Sequence, residues 1–184
     1  MILIGIDPSL SSTGICTMSK DGDILSTFAI NSEFTGPRRL SDIKRQLEPI
    51  TSYGILPSST KLIAFVEGYS FGSQNGREAL GELGGMIRLM LYDEGIEYVD
   101  VPPTTLKKYV LGIGKGDKVA MAIGVIKAWG RDFPTTDQTD AYALCQFGRG
   151  YLGLVDDLPA YRKEAIEAIK NPKVKKRTKA TAQK

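Results

Sequence analysis

The sequence predicts an α/β domain, a mixed five-stranded sheet with helices on both faces. Three strand-like segments follow one another from Ile2, and "KDGD" between the second and third carries a hairpin-turn signature. Beyond them, apolar stripes at helical spacing alternate with two further strand-like runs. A meander followed by alternating helix and strand is the pattern of a mixed sheet in a layered domain.

In order, "ILIGID", "TGICTMS" and "DILSTFAI" read as the antiparallel meander. "GPRRLSDIKRQLEPI" places Leu40, Ile43, Leu47 and Ile50 at helical spacing, and "KLIAFVE" reads as a buried strand. The next helix is expected from Gly76 to Asp93, with Leu80, Leu83, Ile87 and Met90 along one stripe. Gly81, Gly84 and Gly85 cost that helix stability, which points to close approach of a neighbour: a second subunit, or the sheet of the same chain. "GIEYVDV" is a fifth strand stopped by Pro102 and Pro103; "TTLKKYVLG" gives a short helix, "IGKGDK" a basic loop and "KVAMAIGVIKAW" another helix. After "GRDFPTT" comes a helix bearing Asp137 and Asp140, with Thr136 or Asp137 as its cap, and "LPAYRKEAIEAIK" closes the ordered part.

A domain of residues 1–170 and a basic tail of residues 171–184 are expected. From Arg162 onward nine Lys or Arg face two Glu, a surplus of seven, while the rest of the chain carries a net −4. "NPKVKKRTKATAQK" has too few apolar residues to fold alone and suits either a phosphate backbone or simple solubilisation. The apolar runs fall short of a membrane span and "MILIGIDPSL" lacks the marks of a signal peptide, so no membrane contact and a cytoplasmic location are expected. Cys16 and Cys145 lie far apart in apolar surroundings and read as buried thiols. The chain has no histidine. That removes Ser-His-Asp and Cys-His nucleophile pairs and leaves carboxylates, lysines or metal-bound water to move protons.

Four acids stand where acids are costly. Asp7 follows "ILIGI" at the end of the first strand and Glu67 follows "LIAFV" at the end of the fourth. Apolar strands thus deliver both to a sheet end, where sites in α/β folds gather. Asp137 and Asp140 in "TTDQTDAYAL" sit about one helical turn apart, on one side of their helix. Each acid alone also reads as a solvent-facing or dipole-complementing group. Brought together, four carboxylates do not stay ionised unaided, and hard divalent cations with oxygen ligands, Mg²⁺ or Mn²⁺, are the simplest remedy.

"GIDPSLSSTG", "VEGY", "VPPTTLKKYVLGIGKGDK" and "DQTDAYAL" occur in the order and at the spacing of the motifs of the RuvC family of Holliday junction resolvases, which the chain resembles from Ile2 to Gly150. It looks most like the phage-type members, which would place it in a host cell's cytoplasm. The resemblance implies an RNase H-like fold, a homodimer, and a two-metal nuclease that nicks opposed strands of branched DNA. By motif position Asp7, Glu67, Asp137 and Asp140 would hold two Mg²⁺ ions, with Mn²⁺ able to substitute. Asp7 would bridge them, one ion activating water and the other stabilising the departing 3′ oxygen, leaving 5′-phosphate and 3′-hydroxyl ends. Lys107, Lys108, Lys115 and Lys118 match the family's basic region and would meet the DNA, Lys118 also carrying transition-state charge. In "EGYSFGSQNGR", Tyr69, Phe71 and Arg77 would contact DNA beside the site. The best-known cellular pattern has an aromatic three residues after the glutamate, where this chain has Ser70. That departure widens the expected substrates from four-way junctions to forks and three-way branches.

Two other readings remain. "GIDPSLSSTG" also resembles the phosphate loop of the actin and sugar-kinase superfamily, though ATP there lies between two such domains and this chain has room for one. A DNA-branch binder without catalysis is the second.

Overall fold

The computed structural model describes residues 1–51, 60–68 and 76–172. Tyr69, Phe71 and the chain beyond 172 lie outside the described residues. Strands β1 (Ile2–Asp7), β2 (Thr13–Ser19) and β3 (Ile24–Ile30) form the antiparallel meander. Strands β4 (Leu62–Glu67) and β5 (Glu97–Val101) join it in parallel beyond β1, giving the order β3-β2-β1-β4-β5. Helices are α1 (Gly36–Thr51), α2 (Arg77–Asp93), α3 (Pro103–Leu111), α4 (Lys118–Trp129), α5 (Thr136–Tyr151) and α6 (Ala160–Lys170). The mixed five-stranded sheet with helices on both faces is the architecture the sequence predicts.

Strand alternation sorts the core into two layers. Leu3, Cys16, Met18, Ile63 and Phe65 face α5, with α3, α4 and α6 beyond it. Ile4, Ile6, Ile15 and Val66 face the other way, onto Ile43 and Leu47 of α1 and Leu83 and Ile87 of α2. Because β1 and β4 are covered on both faces, they read as continuous apolar runs rather than alternating ones. Each such buried side chain contributes about 1.5–3 kcal/mol relative to exposure. The same period of two aims Asp7 (after 3 and 5) and Glu67 (after 63 and 65) toward the α5 face.

Helix α5 is the central support. Eleven of its 16 residues are buried, including the polar Gln138, Thr139 and Gln146. Their polar groups are satisfied locally: Gln146 Nε2 donates to the Tyr142 hydroxyl at 2.7 Å, and Thr139 Oγ1 donates to the Thr135 carbonyl at 3.1 Å. The helix lies so close to the sheet that a Cβ at Gly5 would overlap the Ala141 carbonyl oxygen, and one at Gly14 the Asp137 carbonyl oxygen. The cap is Thr135, whose Oγ1 accepts from Gln138 N at 3.2 Å, not Thr136 or Asp137. Thr135 is the residue with extended backbone, so its hydroxyl is the one that reaches back to the first turn.

Two further expectations are corrected. Pro103 does not merely stop β5; it is the first residue of α3, where a missing N–H costs nothing. On α2, a Cβ at Gly81 or Gly85 would meet nothing within 4 Å among the described residues, so tight packing on the chain's own sheet does not explain those two glycines. Both cysteines are buried and free, Cys145 Sγ donating to the Cys16 carbonyl at 3.3 Å. No helix among the described residues is long and apolar enough to cross a membrane.

A candidate metal centre at the strand ends

Strands β1 and β4 pair with Ile6 opposite Val66, so their next residues, Asp7 and Glu67, end side by side on the α5 face. Helix α5 then brings Asp140 to them. One carboxylate oxygen from each of Asp7, Glu67 and Asp140 lies within 4.8 Å of the others. Asp140 Oδ1 is buried and has no hydrogen-bond partner. All three acids open on a cleft of about 260 Å³, which Asp137, Lys107 and Lys118 also line.

An unpartnered buried carboxylate oxygen is costly unless something positive meets it. Burial pushes the Asp7 carboxyl well above its usual range, and the Glu67, Asp140 and Asp137 charges push it further. Glu67 is raised to about 7, by burial first and then by Asp140. Asp140 is raised to about 6 by burial, with Asp137 adding to the shift while Lys118 opposes it. Three hard oxygen donors converge on one point and each is destabilised as an anion. Such a set is able to bind a divalent cation.

Asp137 differs from Asp140. Its side chain is 14% exposed and pairs with Lys118 Nζ at 3.5 Å, and it stands outside the three-acid group. Lys118 also donates to Thr136 Oγ1 at 3.1 Å, so the lysine is held over the first turn of α5. Lys107 lines the same cleft and lowers the Glu67 and Asp140 carboxyls. Lys108, one residue on, turns about 100° around α3 and pairs with Glu164 of α6 at 2.6 Å, away from the acids. Lys115 lines a separate groove, and Arg77 stands exposed at the start of α2. Of the eleven residues singled out in the sequence, the structure brings six into the cleft.

Some cleft residues escaped sequence reasoning. Asp117 lines it while capping α4, its Oδ1 accepting from Ala120 N at 2.8 Å; the acid immediately before "KVAMAIGV" was the available signal. Ser9 lines it from the turn after β1. On the α2 side a small pocket of about 50 Å³ reaches Asp7 and Glu67 and is lined by Arg88, which donates to the Gly84 carbonyl at 2.8 Å. No local pattern marked Arg88.

No protein-family model matches the chain. Relatives do. The crossover junction endodeoxyribonuclease RuvC of Petrotoga mobilis is 27% identical over 124 residues, 64% of this chain and 73% of the relative. The RuvC of Rickettsia conorii is 27% identical over 151 residues, 78% of this chain and 94% of its own. Thermus thermophilus RuvC superimposes with a TM-score of 0.66 at 20% identity, covering 84% of this chain and 98% of that one. The chain is similar to RuvC proteins in sequence and shares their fold. A second structure, T. thermophilus RuvC in complex with Holliday junction substrate, matches with a TM-score of 0.62 at 18% identity, covering 78% and 89%. The RuvC fold is the RNase H-like fold expected from the motifs, and "GIDPSLSSTG" and "DQTDAYAL" fall on the elements that build the cleft.

Proposed function

We propose that the protein is a Mg²⁺-dependent endonuclease that nicks branched DNA, four-way junctions foremost, leaving 5′-phosphate and 3′-hydroxyl ends. The observation that carries this reading is the convergence of Asp7, Glu67 and Asp140 within 4.8 Å, with a buried Asp140 oxygen lacking a partner. Its relatives are named crossover junction endodeoxyribonucleases, and one fold neighbour is bound to a Holliday junction substrate.

The donor set fits the cation chemically: every converging atom is a hard oxygen. Bound there, Mg²⁺ would supply Lewis-acid charge and lower the pKa of a coordinated water. We assign two ions per site, with Mn²⁺ able to replace Mg²⁺. Asp7, Glu67 and Asp140 would hold them. Asp137 holds Lys118 at the mouth of the cleft and completes the ligand set. Lys118 is exposed and carries three donors, so it can follow a phosphate as negative charge grows. Lys107, which also lines the cleft, meets the flanking backbone and orients it.

The nuclease unit in this reading is residues 1–170, acting as a homodimer so that two sites nick opposed strands, in the cytoplasm. Residues 171–184 add sequence-independent phosphate affinity. The test uses end-labelled four-way junction, three-way branch, fork and linear duplex with Mg²⁺, Mn²⁺ or chelator, beside Asp7→Asn. Paired, ligatable nicks on the four-way junction, absent with chelator and with Asp7→Asn, are the expected result. Equal cutting of all branched substrates replaces junction selectivity with general debranching, and binding without metal-dependent cutting overturns the enzyme.

A further inference from the structure

Helix α4 is used on both sides. Lys118 and Met121 look into the acid-lined cleft, while Ile123, Gly124 and Lys127 line a separate groove of about 610 Å³. At about 100° per residue these sets fall on opposite sides of the helix. The groove runs between the end of α3, α4 and the start of α6. Its apolar character is unusual for a surface: Ile113 is 63% exposed and Ile123 46%, and Val119 and Ile126 continue the stripe along α4. Large apolar residues grouped at a surface and rimmed by charge mark an interaction site.

The rim is wholly cationic. Among the described residues Lys115, Lys127 and Arg162 line the groove and no acid does. Lys115 and Lys127 make no ion pair among the described residues. Arg162 is built into the wall, its Nε donating to the Tyr109 carbonyl at 3.1 Å and its guanidinium lying 4.4 Å from the Trp129 ring centre.

Charge and polarity select the occupant. Residues 173–184 carry six Lys or Arg and no acid, so their charge does not complement the rim. A second copy docking through the same face would set these lysines against themselves. A DNA backbone is bound by polar and charged donors, and aliphatic side chains on the floor would be desolvated against it without gain. We propose that the groove docks an acidic segment of a partner protein, with large apolar side chains entering between Ile113 and Ile123 and carboxylates meeting Lys115 and Lys127.

The test uses the full chain and a panel of fluorescein-labelled synthetic peptides in which aspartates alternate with Leu, Ile, Phe or Trp. Each is paired with a version carrying lysine for aspartate, and binding is read by fluorescence anisotropy. At least one acidic peptide is expected to bind, its lysine version not, and raised salt to weaken it. Ile123→Asp and Lys127→Glu should each weaken binding at least about fivefold. Both substitutions are at exposed positions and should leave the thermal midpoint and junction cleavage unchanged; Ile123→Ser serves the same comparison if Ile123→Asp does not fold. The inference is overturned if no acidic peptide binds, if neither substitution weakens binding, if four-way junction DNA displaces the peptide, or if Ile123→Asp dissociates the protein's own oligomer.

Discussion

The two faces of the sheet are closed by different means. On the α5 face main chain meets main chain, the Ala141 and Asp137 carbonyls filling the space over Gly5 and Gly14. On the α2 face the contact is made by side chains, with Leu83, Ile87 and Met90 turned inward. Among the described residues the outer side of α2 is uncovered: Leu89 is 60% exposed, Tyr92 77%, and nothing stands over Gly85. The difference teaches where accuracy is required. Acids on the α5 face are located by backbone that cannot shift without moving a strand, whereas α2 has room to change.

The largest expected contrast is between acids. Asp140→Asn should lower junction cleavage about a thousandfold, some 4 kcal/mol of transition-state stabilisation, while Glu82→Gln on the exposed side of α2 leaves it unchanged. Single-turnover rates on a four-way junction measure both, and comparable losses would erase the distinction between the faces. Next comes the backbone contact itself. Gly14→Ala should destabilise the protein by about 3 kcal/mol or prevent folding, whereas Gly85→Ala should raise the intrinsic stability of its helix by about 0.5–1 kcal/mol. Urea unfolding reads the pair, and equal tolerance would mean that α5 can lift from the sheet.

The pH dependence sharpens the contrast on the acid-bearing face. Folding raises Glu67 to about 7 and Asp140 to about 6, and Asp7 shifts the same way. Unfolded carboxyls titrate near 4, so the folded chain binds protons more tightly. In chelator, stability is therefore fullest below about pH 4 and falls as pH rises toward 7, by on the order of 1–3 kcal/mol after allowing for coupling. Mg²⁺ should restore it at pH 8 and release protons on binding. Thermal midpoints that rise with pH in chelator would contradict the crowded-acid arrangement. The smallest contrast separates neighbours on the helices: Lys118→Ala should cut cleavage about tenfold or more, and Lys108→Ala less than about twofold. Cleavage rates at saturating enzyme distinguish them.

Much of this was legible in the sequence because it depends on local period and strand ends. An apolar run closed by an acid told where Asp7 and Glu67 sit, and two aspartates three apart told that α5 presents them together. What the pattern lacked was rotation and distant partners. Lys107 and Lys108 are adjacent in sequence, yet only Lys107 reaches the cleft, because the helix turns Lys108 away, toward Glu164, 56 residues on. The glycines of α2 signalled an unusual surface, but sequence alone could not separate an open face from a packed one. Arg88 depends on a fold contact with Asp100 of β5 and had no local signature.

The backbone contact between β1 and α5 also sets an order of events as the chain is made. Asp7 emerges from a ribosome before Glu67, and Glu67 before Asp140 and the helix that seats over Gly5. Nascent chains short of α5 carry two of the three converging acids and no surface to hold a third beside them. A site built this way stays unassembled until α5 has been translated, so shorter nascent chains lack the three-acid group on which the proposed cutting depends.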